Sequence, residues 1–324
     1  MTLSSAATAF SLVNEDIKII EGILEQTAKP QDPTMEKLLG LVLPGSGKRL
    51  RPVLALLCGR VNRIDRDKLI PFAAALELLH TASLVHDDVV DESPMRRGEP
   101  TVSAKIKNSI AVLVGDYLFA QAAAHAATTS RIDVINAFTR TSMAIITGQI
   151  DESWSDGKLS LTKERYFKRI GGKTAALFAL SAEGGAMLSN ATEDVVRALE
   201  QFGYKLGLAF QIVDDILDVI GDERNLGKPV GSDIRQGVVT LPALLVRHLV
   251  PPPLFESAYS GDGESEEAIE ALLHIIRTEG GVENSYAEAD RLKAEACSAL
   301  QILPDTPVRQ ALIDLAEIVV QRDV

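Results

Sequence analysis

"KLIPFAAALELLHTASLVHDDVVDE", residues 68 to 92, is apolar on nearly every face and ends in a group of aspartates. A helix that is hydrophobic all round is packed among other helices, because none of its faces is suited to water. Residues 195 to 220 have the same character. We therefore predict an all-α fold, a single-domain helical bundle built around these two buried helices.

The composition supports helices and limits the partners of the protein. Of 324 residues, 46% are hydrophobic but only 5% are aromatic, a balance that favours helices over β-sheet. The net charge of -12 argues against a nucleic-acid partner, which normally requires a basic surface. Cys58 and Cys297 are far apart in sequence, so we expect no disulfide framework, no zinc site and a cytoplasmic location.

Three segments differ from the predicted central helices. Residues 1 to 8 lack the basic start and apolar centre of a secretory signal, so we expect a frayed terminus. Residues 109 to 130 reach the length of a membrane span, but polar side chains interrupt them, so we expect a buried core helix and no transmembrane segment. Residues 250 to 267 concentrate proline, glycine, serine and acid, so we expect an exposed loop. One domain over residues 1 to 324 accounts for this pattern.

Two copies of the pattern D-D-x-x-D lie within apolar helical stretches. Carboxylates four residues apart share a helix face, and each such pair of like charges costs about 0.2 to 0.5 kcal/mol even when it is exposed. Burial raises this cost. Oxygen ligands without histidine or cysteine favour a hard divalent ion, above all Mg²⁺, bound together with a ligand's phosphates. The alternative is a solvated acidic patch at a helix end, which two copies in apolar surroundings disfavour. The clusters are Asp87, Asp88 and Asp91, and Asp214, Asp215 and Asp218.

Basic side chains stand beside glycine at three places in this acidic protein: "GSGKRLRP" (45 to 52), "PMRRG" (94 to 98) and "IGGKTAALF" (170 to 178). Such clusters favour phosphate binding, and arginine is suited to bidentate contacts with phosphate. The alternative is a charge that only complements a helix dipole. His80 lies two helical turns before Asp87, so it either faces the same cavity or is an ordinary core histidine.

Together these motifs resemble those of the trans-type (E-type) isoprenyl diphosphate synthases, most closely the long-chain polyprenyl diphosphate synthases. The similarity runs from about Gly45 to the C terminus. It rests on "GKRLRP", "ELLHTASLVHDDVVDESPMRRGEPTV", "GDYLFA", "GKTAALF", "FQIVDDILD" and "LGKPVGSDIRQGVVTLP", in the family's order. The resemblance implies a helical fold around a central cavity, usually in a homodimer.

The resemblance also implies an activity in isoprenoid biosynthesis. A prenyltransferase of this type condenses isopentenyl diphosphate with an allylic diphosphate such as farnesyl or geranylgeranyl diphosphate. Mg²⁺ and cationic side chains stabilise the departing diphosphate. The double bond of isopentenyl diphosphate attacks the allylic carbon, a proton is lost, and each round adds one isoprene unit.

The resemblance assigns site residues in three sets. The aspartates bind about three Mg²⁺, with Mn²⁺ as a substitute, through Asp87, Asp91 and Asp214, with Asp88, Asp215 and Asp218 in support. The allylic diphosphate contacts Arg96, Lys173, Thr174, Gln211 and Lys228, and Lys173 is counted with the six aspartates as catalytic. Isopentenyl diphosphate contacts Lys48, Arg51, His80 and Arg97.

Three positions depart from the family's usual pattern. Ser46 interrupts a common double glycine, Gly172 stands where a basic residue often precedes Lys173, and Val238 stands where lysine is frequent. We expect these departures to weaken diphosphate affinity and to leave the enzyme active, because every aspartate is retained.

The length of the product depends, in this family, on side chains one turn before the first aspartates. Ala82 and Ser83 are small here, whereas members with shorter products usually carry a bulky aromatic residue. One turn advances about 5.4 Å, roughly one isoprene unit, so we predict a product of about C30 or longer, with about C20 or C25 as the alternative. Leu79 and Phe119 are expected to form the next barrier. The small residues could instead serve helix packing alone.

Two other functions stay open. A class I terpene cyclase also ionises a diphosphate at D-D-x-x-D, but the all-aspartate second cluster and "GKRLRP" disfavour it. A noncatalytic partner subunit is disfavoured because no aspartate is lost. Some long-chain relatives need a small regulatory subunit, and release of a long product implies peripheral membrane contact.

Overall fold

The computed structural model describes residues 10–43, 47–96, 99–154, 161–221, 229–260 and 266–321. Within these ranges the chain is helical, apart from a short antiparallel pair of strands, β1 (Met95–Arg96) and β2 (Glu99–Pro100). The helices are α1 (Asn14–Thr27), α2 (Pro33–Leu39), α3 (Leu50–Cys58), α4 (Arg66–Val90), α5 (Val102–Lys105), α6 (Asn108–Ala127), α7 (Ile132–Trp154), α8 (Lys163–Ile170), α9 (Ala176–Leu188), α10 (Glu193–Ile220), α11 (Ser232–Arg235), α12 (Leu241–Val246), α13 (Pro252–Ala258), α14 (Glu266–Thr278), α15 (Gly281–Ala299) and α16 (Pro307–Val320).

The two helices predicted to be central, α4 and α10, are both found and both bury most of their apolar side chains. The all-α prediction is therefore confirmed. α4 packs against α6, and α10 packs against α9 and α15, while α9 also contacts α3 and α4. A π-helical turn, Gly171–Ala175, joins α8 to α9 and packs against α7 and α10. The π-helical turn can approach α10 closely because α10 carries Gly207 at the contact. A Cβ at Gly207 would lie 2.6 Å from the Cα of Ala175 in the turn.

The expectation of a buried core helix at residues 109 to 130 is only half right. α6 buries one face, including Val114 and Leu118, but the opposite face exposes Leu113. By length and composition alone, α4 and α6 could each cross a membrane, and 67% and 33% of their most apolar windows are buried inside the chain. The reason for the difference is that α4 packs against more of the other helices than α6 does.

The exposed loop expected at residues 250 to 267 is corrected by the structure. α13 occupies Pro252–Ala258 and buries Phe255, and α14 begins at Glu266, so only residues 261–265 of the connection fall outside the description. Proline is favoured in the first turn of a helix, where its missing N–H is not needed. The prolines therefore start a helix, and Phe255 belongs to a second core shared by α11 to α14. We call residues 229–279 the C-terminal lobe.

Candidate active site

Each aspartate cluster lies near the C-terminal end of a central helix and contains both buried carboxylates and carboxylates that reach solvent. Asp91 and Asp214 are exposed, Asp87 is half-buried, and Asp88, Asp215 and Asp218 are buried. The amide of Asp91 closes α4 by donating to the carbonyl of Asp87 at 2.8 Å. The exposed carboxylates can accept an external cation, whereas the buried ones depend on partners within the chain.

The π-helical turn is linked to both clusters through consecutive residues, to the first cluster directly and to the second through Gln211. Lys173 Nζ lies 4.0 Å from Oδ2 of Asp87, in the first cluster. Thr174 donates from Oγ1 to Oε1 of Gln211 at 2.7 Å, and Nε2 of Gln211 donates to Oδ1 of Asp215, in the second cluster, at 2.9 Å. Single π-helical turns occur frequently at functional sites. The two clusters therefore border one site, and five of the residues proposed from sequence meet there.

The charge of Lys173 is set by opposing effects. Burial alone lowers its pKa, but the negative charges of Glu152 and Asp87 outweigh burial and raise the pKa above its ordinary value. Oε1 of Glu152, on α7, accepts from Nζ at 2.6 Å. Lys173 is therefore a permanent cation at neutral pH, suited to a diphosphate.

Asp215 is held by residues that the sequence did not reveal. Burial raises the pKa of Asp215 to about 7, while hydrogen bonds from Tyr166 and Gln211 and the charge of Arg169 act in the opposite direction. Tyr166 OH donates to Oδ2 of Asp215 at 2.6 Å, and Arg169 donates to the carbonyl of Val239 at 2.7 Å. In the largely charged sequence of α8, Tyr166 and Arg169 stand three residues apart and both are buried. That spacing was the signal from which the sequence could have indicated them.

Asp218 joins the second cluster to the C-terminal lobe. Its Oδ2 accepts from the amide of Asp233 at 3.0 Å, and its carbonyl accepts from the amide of Gly231 at 2.8 Å. Arg277 donates twice to the carbonyl of Val219, at 3.0 and 2.6 Å. The lobe is therefore attached directly at the second cluster.

The basic loop before α3 is anchored on both sides. Arg49 adopts a left-handed backbone conformation, and its Nη1 lies 2.9 Å from Oε2 of the buried Glu77 on α4. The guanidinium of Arg51 lies 4.9 Å from the centre of the Phe178 ring on α9. These contacts position the loop against α4, through Arg49, and the first turn of α3 against α9, through Arg51.

The remaining residues predicted for diphosphate binding have mixed positions. Lys48 is exposed and His80 is half-buried, so His80 is not a fully enclosed core histidine. Arg96 belongs to β1. Arg97 and Lys228 lie outside the described residues.

The unusual glycine before Lys173 has a steric explanation. A Cβ at Gly172 would lie 2.9 Å from the carbonyl oxygen of Ala144, and a Cβ at Gly148 would lie 2.8 Å from the amide nitrogen of Lys173. The backbones of α7 and the π-helical turn are therefore in direct contact, and a basic side chain does not fit at position 172. Val238 is half-buried, and Ser46 lies outside the described residues.

The residues proposed to limit product length lie along α4 and α6. Ala82 and Leu79 are fully buried, whereas Ser83 is half-buried and donates to the carbonyl of His80 at 2.8 Å. The ring centre of Phe119 lies 5.5 Å from that of His86. His86 directly precedes the first aspartate, so Phe119 lies nearer the aspartate end of α4 than the sequence argument assumed.

The donor chemistry of the site fits Mg²⁺. Among the side chains that the structure describes, no group of three or more His, Cys, Asp or Glu residues is already arranged to hold a metal ion. Asp87, Asp91 and Asp214 nevertheless offer carboxylate oxygens at the surface of the site. Mg²⁺ binds through one or two carboxylates and completes its shell with waters and substrate phosphates. An incomplete all-oxygen donor set is suited to that ion.

The fold and the site define a class of all-helical proteins in which two aspartate clusters border one lysine-bearing turn. Solved structures share this fold closely. A polyprenyl synthase from Caulobacter crescentus, complexed with calcium and isoprenyl diphosphate, has a TM-score of 0.93 and 32% identity, with 98% of each chain covered. A decaprenyl diphosphate synthase from Rhodobacter capsulatus has a TM-score of 0.90 and 34% identity, again with 98% of each chain covered.

Sequence comparisons identify the family. The chain is 37% identical over 317 residues to heptaprenyl diphosphate synthase component 2 of Geobacillus stearothermophilus, covering 97% of this chain and 98% of the relative. The polyprenyl synthetase profile matches residues 32–276. The chain belongs to the polyprenyl synthetase family, and the resemblance drawn from its motifs is confirmed.

Proposed function

We propose that this protein is a trans-prenyltransferase that condenses isopentenyl diphosphate head to tail onto farnesyl or geranylgeranyl diphosphate. The observation that carries the proposal is that consecutive residues reach the two aspartate clusters: Lys173 lies beside Asp87, and Thr174 is joined to Asp215 through Gln211. The product is an all-trans polyprenyl diphosphate of about C30 or longer, since one helical turn corresponds to roughly one isoprene unit. The heptaprenyl and decaprenyl synthases among its relatives favour this length over about C20 or C25.

The metal is Mg²⁺, about three ions as in the family, with Mn²⁺ as a substitute. Asp87, Asp91 and Asp214 hold it, because their carboxylates reach solvent, and the buried Asp88, Asp215 and Asp218 support them. When bound, the metal neutralises charge on the allylic diphosphate and so favours its departure.

The chain's own cations act on the two diphosphates. Lys173 stabilises the leaving diphosphate when the allylic C–O bond breaks and its electron pair departs with the diphosphate. The double bond of isopentenyl diphosphate then forms the new C–C bond, and the released diphosphate takes the proton that restores a double bond. Contacts to the allylic diphosphate are assigned to Arg96, Lys173, Thr174, Gln211 and Lys228, and contacts to isopentenyl diphosphate to Lys48, Arg51, His80 and Arg97.

The protein is proposed to act as a cytoplasmic homodimer, with one domain over residues 1–324. Exposed apolar side chains on α6 and α7 support an interface between two copies, because such a surface is usually covered in solution. They include Leu113 (61% exposed), Ile132 (72%), Met143 (59%), Ile146 (49%) and Ile150 (59%). We further propose that the protein contacts a membrane surface peripherally when it releases its long product.

The test is elongation by the purified chain alone with Mg²⁺, farnesyl diphosphate and radiolabelled isopentenyl diphosphate. Chromatography of the dephosphorylated products should show a series of prenols that ends at about C30 or longer. A terpene cyclase would instead consume farnesyl diphosphate without incorporating label. No incorporation by the chain alone, followed by incorporation with a second subunit, would show that a small regulatory partner is required. No incorporation in either case would contradict the proposal.

A further inference from the structure

A chain of three hydrogen bonds runs through the second cluster and ends at the π-helical turn. Tyr166 donates to Asp215, Gln211 donates to the other oxygen of Asp215, and Thr174 donates to Gln211, at 2.6, 2.9 and 2.7 Å. Tyr166 and Asp215 are buried. These four side chains, which we call the hydroxyl relay, come from α8, α10 and the turn.

The direction of each hydrogen bond in the hydroxyl relay is set by chemistry. The phenol group of Tyr166 carries one proton, and its hydroxyl donates that proton to Oδ2 of Asp215. The amide nitrogen of Gln211 can only donate, so it faces Oδ1 of Asp215, and the amide oxygen accepts from Thr174. Thr174 therefore directs its single hydroxyl proton at Gln211.

This direction matters for the neighbouring cation. Thr174 directly follows Lys173, which contacts the first cluster. A phosphate oxygen also only accepts, so it has to compete with Gln211 for the hydroxyl proton of Thr174. The orientation of Gln211 thus decides whether the hydroxyl proton of Thr174 is available to the site.

We propose that Tyr166 is a positioning residue, which acts through Asp215 and Gln211 to hold the side chain of Thr174 in one orientation beside Lys173, at the site proposed for the allylic diphosphate. This inference rests on the proposed function. Tyr166 is fully buried and does not itself reach the substrate. Its effect therefore has to pass through the other residues of the hydroxyl relay, and we assign it to Thr174 and to the allylic substrate, not to isopentenyl diphosphate.

The test is a double-mutant cycle of Tyr166→Phe and Thr174→Val in the full chain, measured as kcat/KM for farnesyl diphosphate. Tyr166→Phe keeps the ring and removes the donor, and we expect a loss of about tenfold, with KM for isopentenyl diphosphate changed less than about twofold. The double variant should match Thr174→Val alone, because the relay has no further residue to act on. Thr174→Ser should retain sensitivity to Tyr166→Phe.

The matched control is Tyr204→Phe. The Tyr204 hydroxyl also lies against the π-helical turn, 2.3 Å from where a Cβ of Gly171 would stand, and among the described contacts it makes no hydrogen bond to the hydroxyl relay. It should leave the kinetics unchanged. If Tyr166→Phe does not fold, the same cycle is run with Gln211→Met.

Two outcomes would overturn the inference: additive losses in the cycle, or an equal effect on KM for isopentenyl diphosphate. Either result in an otherwise active parent chain would show that Tyr166 only packs. Failure of the parent chain to elongate any substrate is a separate result, because it would contradict the proposed function itself.

Discussion

At the residue scale, Lys173 is a positioned cation even when no ligand is bound. Its ammonium group already lies between two carboxylates, from α4 and α7, and both favour the charged form. A diphosphate has to draw Lys173 away from Glu152, or share it. The cation therefore exists before the ligand arrives, and no change in protonation is needed on binding.

Replacing Lys173 by alanine should lower kcat/KM for the allylic diphosphate by about 10² to 10³, because one preorganised charge on the leaving group is lost. Steady-state kinetics with each substrate varied in turn will measure this. Lys205→Ala is the control, since Lys205 pairs with Glu295 away from the relay. Similar losses in both variants would assign the effect to stability.

Several residues of the site could not be predicted because their partners are distant in sequence. Tyr166 and Asp215 are 49 residues apart, and Glu152 and Lys173 are 21 apart. The aspartates can be recognised from the sequence because like charges are clustered in an apolar helix. Their partners, by contrast, are brought to them only by packing. Residue spacing alone therefore pointed to the aspartates as candidate ligands and missed the groups that contact them.

At the element scale, the closeness of α7 to the π-helical turn fixes the position of Lys173. Gly148 and Gly172 allow the two backbones to touch. A residue that seemed, from sequence, to be a missing basic group is thus required by packing. The central helices were predictable because their apolar patterns are long, whereas α13 was missed because prolines that start a helix look like prolines that break one.

Gly172→Ala should destabilise the protein by about 1 to 3 kcal/mol, because the new Cβ forces α7 and the turn apart. Elongation activity should fall with it, since Lys173 moves. Gly22→Ala is the matched control: a Cβ there meets nothing within 4 Å, and it should stabilise α1 by about 0.5 to 1 kcal/mol. Denaturant unfolding measures both, and equal stability of Gly172→Ala and the parent would refute the close-packing argument.

Ser83→Phe on α4 should shorten the longest product, because Ser83 is half-buried one turn before Asp87 and a phenyl ring there would obstruct the tail. Ala82→Tyr should act in the same direction if space adjoins the fully buried Ala82. Ser298→Phe, at an exposed position on α15, is the control. Product chromatography gives the lengths, and an unchanged longest product in both α4 variants would exclude this gate.

At the scale of the whole molecule, α6 and α7 leave an apolar surface that the residues described by the structure do not cover. α4 has the same apolar character, but a larger share of it is buried by other helices of the chain. The difference between the two helices was not visible in the sequence, because hydropathy does not reveal whether neighbours come from the same chain. The exposed side of α6 and α7 is where a second copy is expected.

Ile146→Asp should convert a homodimer into monomers, since a charge would be buried at the interface without a partner. Ile19→Asp on α1 is matched to it: Ile19 is 46% exposed and Ile146 is 49% exposed. Sedimentation velocity should show a dimer for the parent chain and for Ile19→Asp only. A parent that sediments as a monomer, or a dimeric Ile146→Asp variant, would rule out this interface.

The C-terminal lobe is attached to Asp218 through two of its backbone amides. Hydrogen exchange at these amides can therefore report on the proposed metal site. Gly231 and Asp233 both donate their N–H groups to Asp218, so deuterium exchange at these amides requires the lobe to separate from α10. A ligand that binds only while the lobe contacts α10 reduces this local opening, and the reduction grows with the occupancy of the ligand. Mg²⁺ with a diphosphate should therefore protect these two amides against exchange, although neither belongs to a residue assigned to the ligand. Exchange rates that do not change with ligand would mean that the lobe and the site open independently.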